Sequence, residues 1–174
     1  MSIPGNHLIV QYMKKLLNLF ALAVLVTLAV AVVVYRSVNR VPSAELPAYE
    51  QVYRIFEDGG CLSCHSSDPD LPFYAELPIA GKIVMKDIDS GYRSFDMKPF
   101  MESLKKNGPV DPVALAKIEK VVLDGRMPMP KYYLVHWGSS LTDAKRAIVL
   151  DWVRDTRAAM YDDGLTGERA AEPV

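Results

Sequence analysis

Only two cysteines occur in the chain, Cys61 and Cys64, and a pair three positions apart cannot staple a fold by closing a long loop. Their use must be chemical. An excess of charge of either sign is also missing. The formal net charge is -1 and the basic residues are scattered, so no nucleic-acid partner is expected. Histidine is scarce: of the three present, His7 lies near the N-terminus and His136 far from the cysteines, too few at close spacing for a structural zinc site. No segment shows a convincing strand pattern, and a thioredoxin-like redox pair would need its cysteines at the end of a strand in a βαβ unit.

Only one long apolar run is present. Residues 16–35, LLNLFALAVLVTLAVAVVVY, carry no charge and only Asn18 and Thr27 are polar, a length that matches the roughly 30 Å hydrocarbon layer. This predicts one transmembrane helix preceded by a cytoplasmic segment, residues 1–15. A cleaved signal peptide is the competing reading, but the run continues through Val34 beyond the small residues Ala29, Val30 and Ala31. Lys14 and Lys15 before the run are balanced by Arg36 and Arg40 after it, so charge leaves the orientation open. Residues 36–47, with Pro42 and Pro47, read as a short stalk. What remains is the size of one domain with one core.

That domain, residues 48–161, is expected to be all-α. A first helix over 49–57 places Val52, Ile55 and Phe56 on one face, and Gly59 and Gly60 end it. The stretch 66–82 is rich in proline, lacks a period and reads as an irregular loop, and Met85, just beyond it, is read as loop as well. A second helix starts at Asp96 as N-cap and runs to Lys106, with Phe100, Met101 and Leu104 inward and Gly108 as its stop. The third has Asp111 as N-cap, Pro112 at its first position, Ala114, Ile118, Val121 and Val122 as its buried stripe, and Gly125 as terminator. A fourth over 142–161 puts Ala144, Ile148 and Trp152 on one face. Residues 162–174 read as a polar tail or linker.

The string Cys61, Leu62, Ser63, Cys64, His65 is CxxCH, in which two thiols add to the haem vinyl groups and the adjacent imidazole ligates the iron. One turn brings both sulfurs to one porphyrin edge and aims the next side chain at the metal. The expected cofactor is therefore a single covalent haem c, with Cys61 and Cys64 binding it and His65 as metal ligand. Such attachment takes place outside the cytoplasm, so the domain is expected in the periplasm of a bacterial inner-membrane protein. A haem that only carries electrons is usually capped by Met. Among the eight methionines, Met127 lies in Gly125, Arg126, Met127, Pro128, Met129, Pro130, where the prolines predict an extended segment, and it is the preferred distal ligand. Met129 and His136 stay open as alternatives, the first also readable as packing and the second as an equally good low-spin ligand.

The order of helix, CxxCH, irregular loop, MetPro and C-terminal amphipathic helix resembles the cytochrome c fold. More closely, residues 61–161 resemble the N-terminal monohaem domain of the membrane-anchored trihaem cytochrome c peroxidases, or quinol peroxidases, of Gram-negative bacteria. The likeness is carried by CLSCHSSDPDLPFYAELP, GlyTyrArgSerPhe at 91–95, LysIleGlu at 117–119, Met127 with Pro128, TyrTyrLeuValHisTrp at 132–137, and the last helix with Ile148, Leu150 and Trp152. The resemblance implies haem attachment at Cys61 and Cys64, His65 and Met127 as ligands, and a role feeding electrons to two further haems. Met129 after the MetPro pair is a departure. With no second CxxCH, this chain is expected to hold no catalytic residue and no peroxidase centre of its own.

The function expected is transfer of electrons from the quinol pool or its dehydrogenases to a periplasmic haem enzyme, a dihaem peroxidase before others. The small cytochrome subunit of a membrane oxidase or nitric oxide reductase shares the arrangement of one anchor and one haem. A haem-based sensor is the alternative from another class, and the roughly fifteen residues before the run leave little room for an output domain.

Overall fold

The computed structural model describes residues 5–133 and 135–171. The ends of the expected N-terminal segment and C-terminal tail, and Leu134 of TyrTyrLeuValHisTrp, lie outside them. The chain divides into two compact units, Met1–Arg40 and Val41–Val174. All regular structure among the described residues is helical, as the sequence predicts.

The first unit is one helix, α1 (Gly5–Val38), whose stretch Ile9–Val38 has a mean hydropathy of 2.8 and no part of that apolar window buried. It is long and apolar enough to cross a membrane. The helix begins before and ends after residues 16–35, so the expected stalk loses its first residues to it. Thr27, the polar residue inside the run, returns its hydroxyl to the Ala23 carbonyl at 2.9 Å, which satisfies it without water.

In the second unit, α2 (Ala48–Asp58) buries Val52, Ile55 and Phe56. Helix α3 (Ala80–Ser94) corrects the expected loop: its chain is helical from Ala80, and Met85 is an exposed residue on it. Gly81 and Gly91, both buried, let this helix approach its neighbours. Helix α4 (Lys98–Lys105) buries Phe100, Met101 and Leu104; its N-cap is Met97 rather than the expected Asp96, whose carboxylate nevertheless accepts from the Lys98 N–H at 3.0 Å. The left-handed residue that ends it is Asn107 (φ 49°) rather than Gly108, whose N–H instead closes on the Ser103 carbonyl at 2.8 Å.

Helix α5 (Pro112–Asp124) follows its signals closely. Asp111 accepts from the N–H groups of Val113 and Ala114, Pro112 is the first residue, and Gly125 is left-handed at φ 63°. Leu115 joins Ala114, Ile118 and Val122 in the core, whereas Val121 is half-buried. Pro130 corrects the extended reading of its segment, because it opens the single turn α6 (Pro130–Tyr133), where a proline's missing N–H costs nothing.

Helix α7 (Asp143–Ala171) continues ten residues past the expected end near 161. Its inward face is also rotated: Val149, Trp152 and Val153 are buried while Ala144 is exposed and Ile148 half-exposed. Lys145 is buried on that face at 2% exposure, and burial lowers its pKa although Asp58 opposes this. The core is the meeting of α2, α4, α5 and α7, with Phe100 in edge-on contact with Phe56 and Trp152 at ring separations of 5.9 and 6.1 Å.

Candidate haem-attachment site

The site begins where α2 ends. Gly59 and Gly60 close the helix, and Gly60 turns the chain with φ 65° into a 3₁₀ turn, Cys61–Ser63. The N–H groups of Cys64 and His65 both donate to the Cys61 carbonyl, at 3.3 and 3.1 Å. That closure gathers Cys61, Cys64 and His65 within a single turn, as the CxxCH spacing requires.

His65 is oriented from outside the turn. Its Nδ1 lies 2.9 Å from the Phe95 carbonyl oxygen. A carbonyl can only accept, so Nδ1 carries the proton and Nε2 keeps its lone pair. Among the described residues Nε2 has no partner. The main chain fastens the same place, with the Met97 N–H donating to the His65 carbonyl at 2.8 Å. A ring held by one nitrogen with the other left open is how proteins prepare an imidazole for a metal.

The two cysteines form no disulfide. Burial pushes the Cys61 thiol up to about 12, and burial followed by the charge of Asp87 raises Cys64. A redox pair of the thioredoxin kind requires the opposite, a depressed thiol pKa. Helix α3 packs directly on Cys64: a Cβ at Gly91 would stand 2.5 Å from the Cys64 carbonyl oxygen. Two neutral thiols one turn apart and an imidazole with Nε2 free fit a covalently attached haem.

Two cavities flank the turn. One, of about 350 Å³, lies against Tyr53, Phe56, Leu62 and Met101; the other, of about 260 Å³, is lined by Cys64, Pro72, Tyr74, Val84, Tyr132 and His136 among others. His136 therefore shares a cavity with Cys64. Its ring stacks on Tyr132 at 3.9 Å and 9°, and Nε2 lies 3.5 Å from the Tyr74 hydroxyl. Met127 and Met129 are half-buried, and neither is among the described residues that line the two cavities. Met97 and Met101 are core residues.

Several contributors escape residue-level reading. Phe95 acts through its main chain, which no side-chain pattern reveals. Gly91 carries a signal only if α3 is recognised, since a helical glycine is then a mark of close approach. Tyr74 and Tyr132 lie in strings that carry the family resemblance, but nothing in those strings gives either tyrosine a role.

The model of the haem-binding domain family matches residues 23–155 of this chain. Cytochrome c peroxidase Ccp of Escherichia coli (strain K12) is 34% identical over 125 residues, covering 71% of this chain and 27% of the relative. The chain thus spans about a quarter of that relative's length. No solved structure matches it.

Proposed function

We propose, since the chain belongs to the haem-binding domain family, that it is a membrane-anchored c-type cytochrome with one covalent haem, passing electrons from the quinol pool or its dehydrogenases to a periplasmic haem enzyme, a dihaem cytochrome c peroxidase. The observation that carries the reading is the turn that starts at Cys61, which gathers two thiols and His65, with His65 held by Phe95 so that Nε2 faces no competitor.

In this reading Cys61 and Cys64 would hold the haem through thioethers, and His65 Nε2 and Met127 would ligate its iron. Bound haem supplies a one-electron couple. The chain's own residues do the rest. Phe95 fixes the tautomer and the angle of the imidazole, which also makes it a stronger donor. Gly91 lets α3 pack closely against Cys64. The kinship with a cytochrome c peroxidase supports the choice of partner. Helix α1 supports an anchor that confines the carrier to the membrane surface and raises its effective concentration there. Haem attachment outside the cytoplasm puts the domain in the periplasm.

Absorption of the reduced full chain with and without carbon monoxide tests the ligand set. The wild type should hardly change. Met127→Ala should acquire a high-spin component, bind carbon monoxide and fall in reduction potential, while Met129→Ala and His136→Ala stay like the wild type. A His136 variant that opens the site while the Met127 variant stays closed would show a bis-histidine haem instead.

A further inference from the structure

We propose that Tyr132 is a positioning residue that pins residues 126–136 against the haem-attachment turn, through its hydroxyl at Gly60 and its ring on His136. The inference rests on the preceding reading for its link to Met127, but not for the contact itself.

Helix α6 is a single turn of four residues, too short to hold itself by its own hydrogen bonds. Side chains must anchor it. The Tyr132 hydroxyl donates to the Gly60 carbonyl at 3.5 Å. The fit is close: a Cβ on Gly60 would stand 2.5 Å from the Tyr132 oxygen. Gly60 is thus needed for room as well as for its positive φ. Behind the phenol, the Tyr132 ring lies flat on His136, whose N–H donates to the Tyr132 carbonyl at 3.0 Å. Next to it, Lys131 pairs with Asp87 of α3 at 2.7 Å, and α3 is the helix packed on Cys64. Tyr132 therefore stands where the attachment turn, α6 and the segment after it meet.

Met127 is joined to this point through Pro128, Met129 and Pro130, and the Met129 carbonyl accepts from the Tyr132 N–H at 2.9 Å. Two prolines in three residues leave little backbone freedom between them. Where Tyr132 sits therefore limits where the Met127 thioether can reach. Half-burial alone would make Tyr132 a packing residue; its hydroxyl at Gly60, before the turn, gives it a second duty.

Two variants separate the roles, each made in the full haem-loaded chain in detergent. Tyr132→Phe keeps the ring stack and loses the hydroxyl; Tyr132→Ala loses both. Hydrogen exchange followed by mass spectrometry should show residues 126–136 exchanging about ten-fold faster in Tyr132→Phe and faster still in Tyr132→Ala, with α4 unchanged. The fraction of reduced protein that binds carbon monoxide should rise by similar factors. Unchanged exchange in 126–136 overturns the proposal whatever Met127 does, and so does acceleration spread evenly over all helices, the sign of mere destabilisation. Faster exchange confined to 126–136, in a protein whose Met127→Ala variant keeps a closed site, upholds Tyr132 as the pin and overturns only the assignment of Met127 as ligand.

Discussion

Replacing Gly91 by alanine sets two effects of opposite sign against each other. Alanine inside α3 is favoured over glycine by about 1 kcal/mol, from helix propensity and a less disordered unfolded chain. Against that, the new Cβ would stand 2.5 Å from the Cys64 carbonyl oxygen, 3.1 Å from its carbonyl carbon and 3.2 Å from its Cβ. Carbon to oxygen contact is comfortable only beyond about 3.3 Å, so the helix or the turn must retreat by roughly 0.8 Å. Neither yields easily, because the atoms met are main chain and the turn is closed by the bonds from Cys64 and His65 to the Cys61 carbonyl. Overpacking costs about 1–3 kcal/mol, and rigid neighbours put this case at the upper end. The net loss is about 1–2 kcal/mol, or a fall of about 4–8 °C in Tm for a domain of this size. Thermal unfolding followed by far-ultraviolet circular dichroism, on the full chain in detergent, reads it. A Gly91→Ala protein melting at or above the wild type would refute the close packing of α3 on the haem-attachment turn.

Two further outcomes test the core and its charges. Phe100→Ala should cost about 3–5 kcal/mol, because a buried ring that meets Phe56 and Trp152 is lost, whereas Phe100→Leu should cost less than half of that; equal losses would show that burial of apolar volume is not what Phe100 contributes. Arg157 of α7 grips Glu119 of α5 with both nitrogens, at 3.1 and 2.6 Å, and this hydrogen-bonded contact holds the Glu119 carboxyl below its ordinary value. A carboxyl depressed in the folded state adds stability that is present above its unfolded pKa and is lost as the pH falls through its folded one. Glu119→Gln should therefore be less stable than the wild type near neutrality, with the gap in urea midpoint closing below about pH 4. A gap that stays constant down to pH 3 would rule out the ion pair as its origin.

Where local chemistry decides structure, the sequence can be read. Asp111, Pro112 and Gly125 mark both ends of α5 because each acts on its own backbone, and the CxxCH string carries its geometry within five residues. Helix α3 is hidden for the opposite reason. Gly81 and Gly91 weaken its helical signal, and the need for them arises only from Ala75 and Cys64, which the fold brings close. Pro130 looks like a continuation of an extended segment, yet the same fixed φ starts a helix. The inward face of α7 is misjudged because Lys145 counts as polar in any pattern while the structure buries its stem beside Val149. Of the site itself, Cys61, Cys64 and His65 are legible as a motif. The Phe95 carbonyl that orients His65 is not, since every residue offers a carbonyl and only the tertiary fold selects one.

The central claim is that Cys61 and Cys64 hold a haem covalently, and mass spectrometry of the full chain under acidic, denaturing conditions tests it most directly. Thioether links survive conditions that dissolve every ligand bond, so the polypeptide should carry the added mass of one haem, and Cys61→Ala combined with Cys64→Ala should lose it. A wild-type chain that appears at its bare polypeptide mass with two thiols open to alkylation, its haem free in the organic phase, would contradict the account.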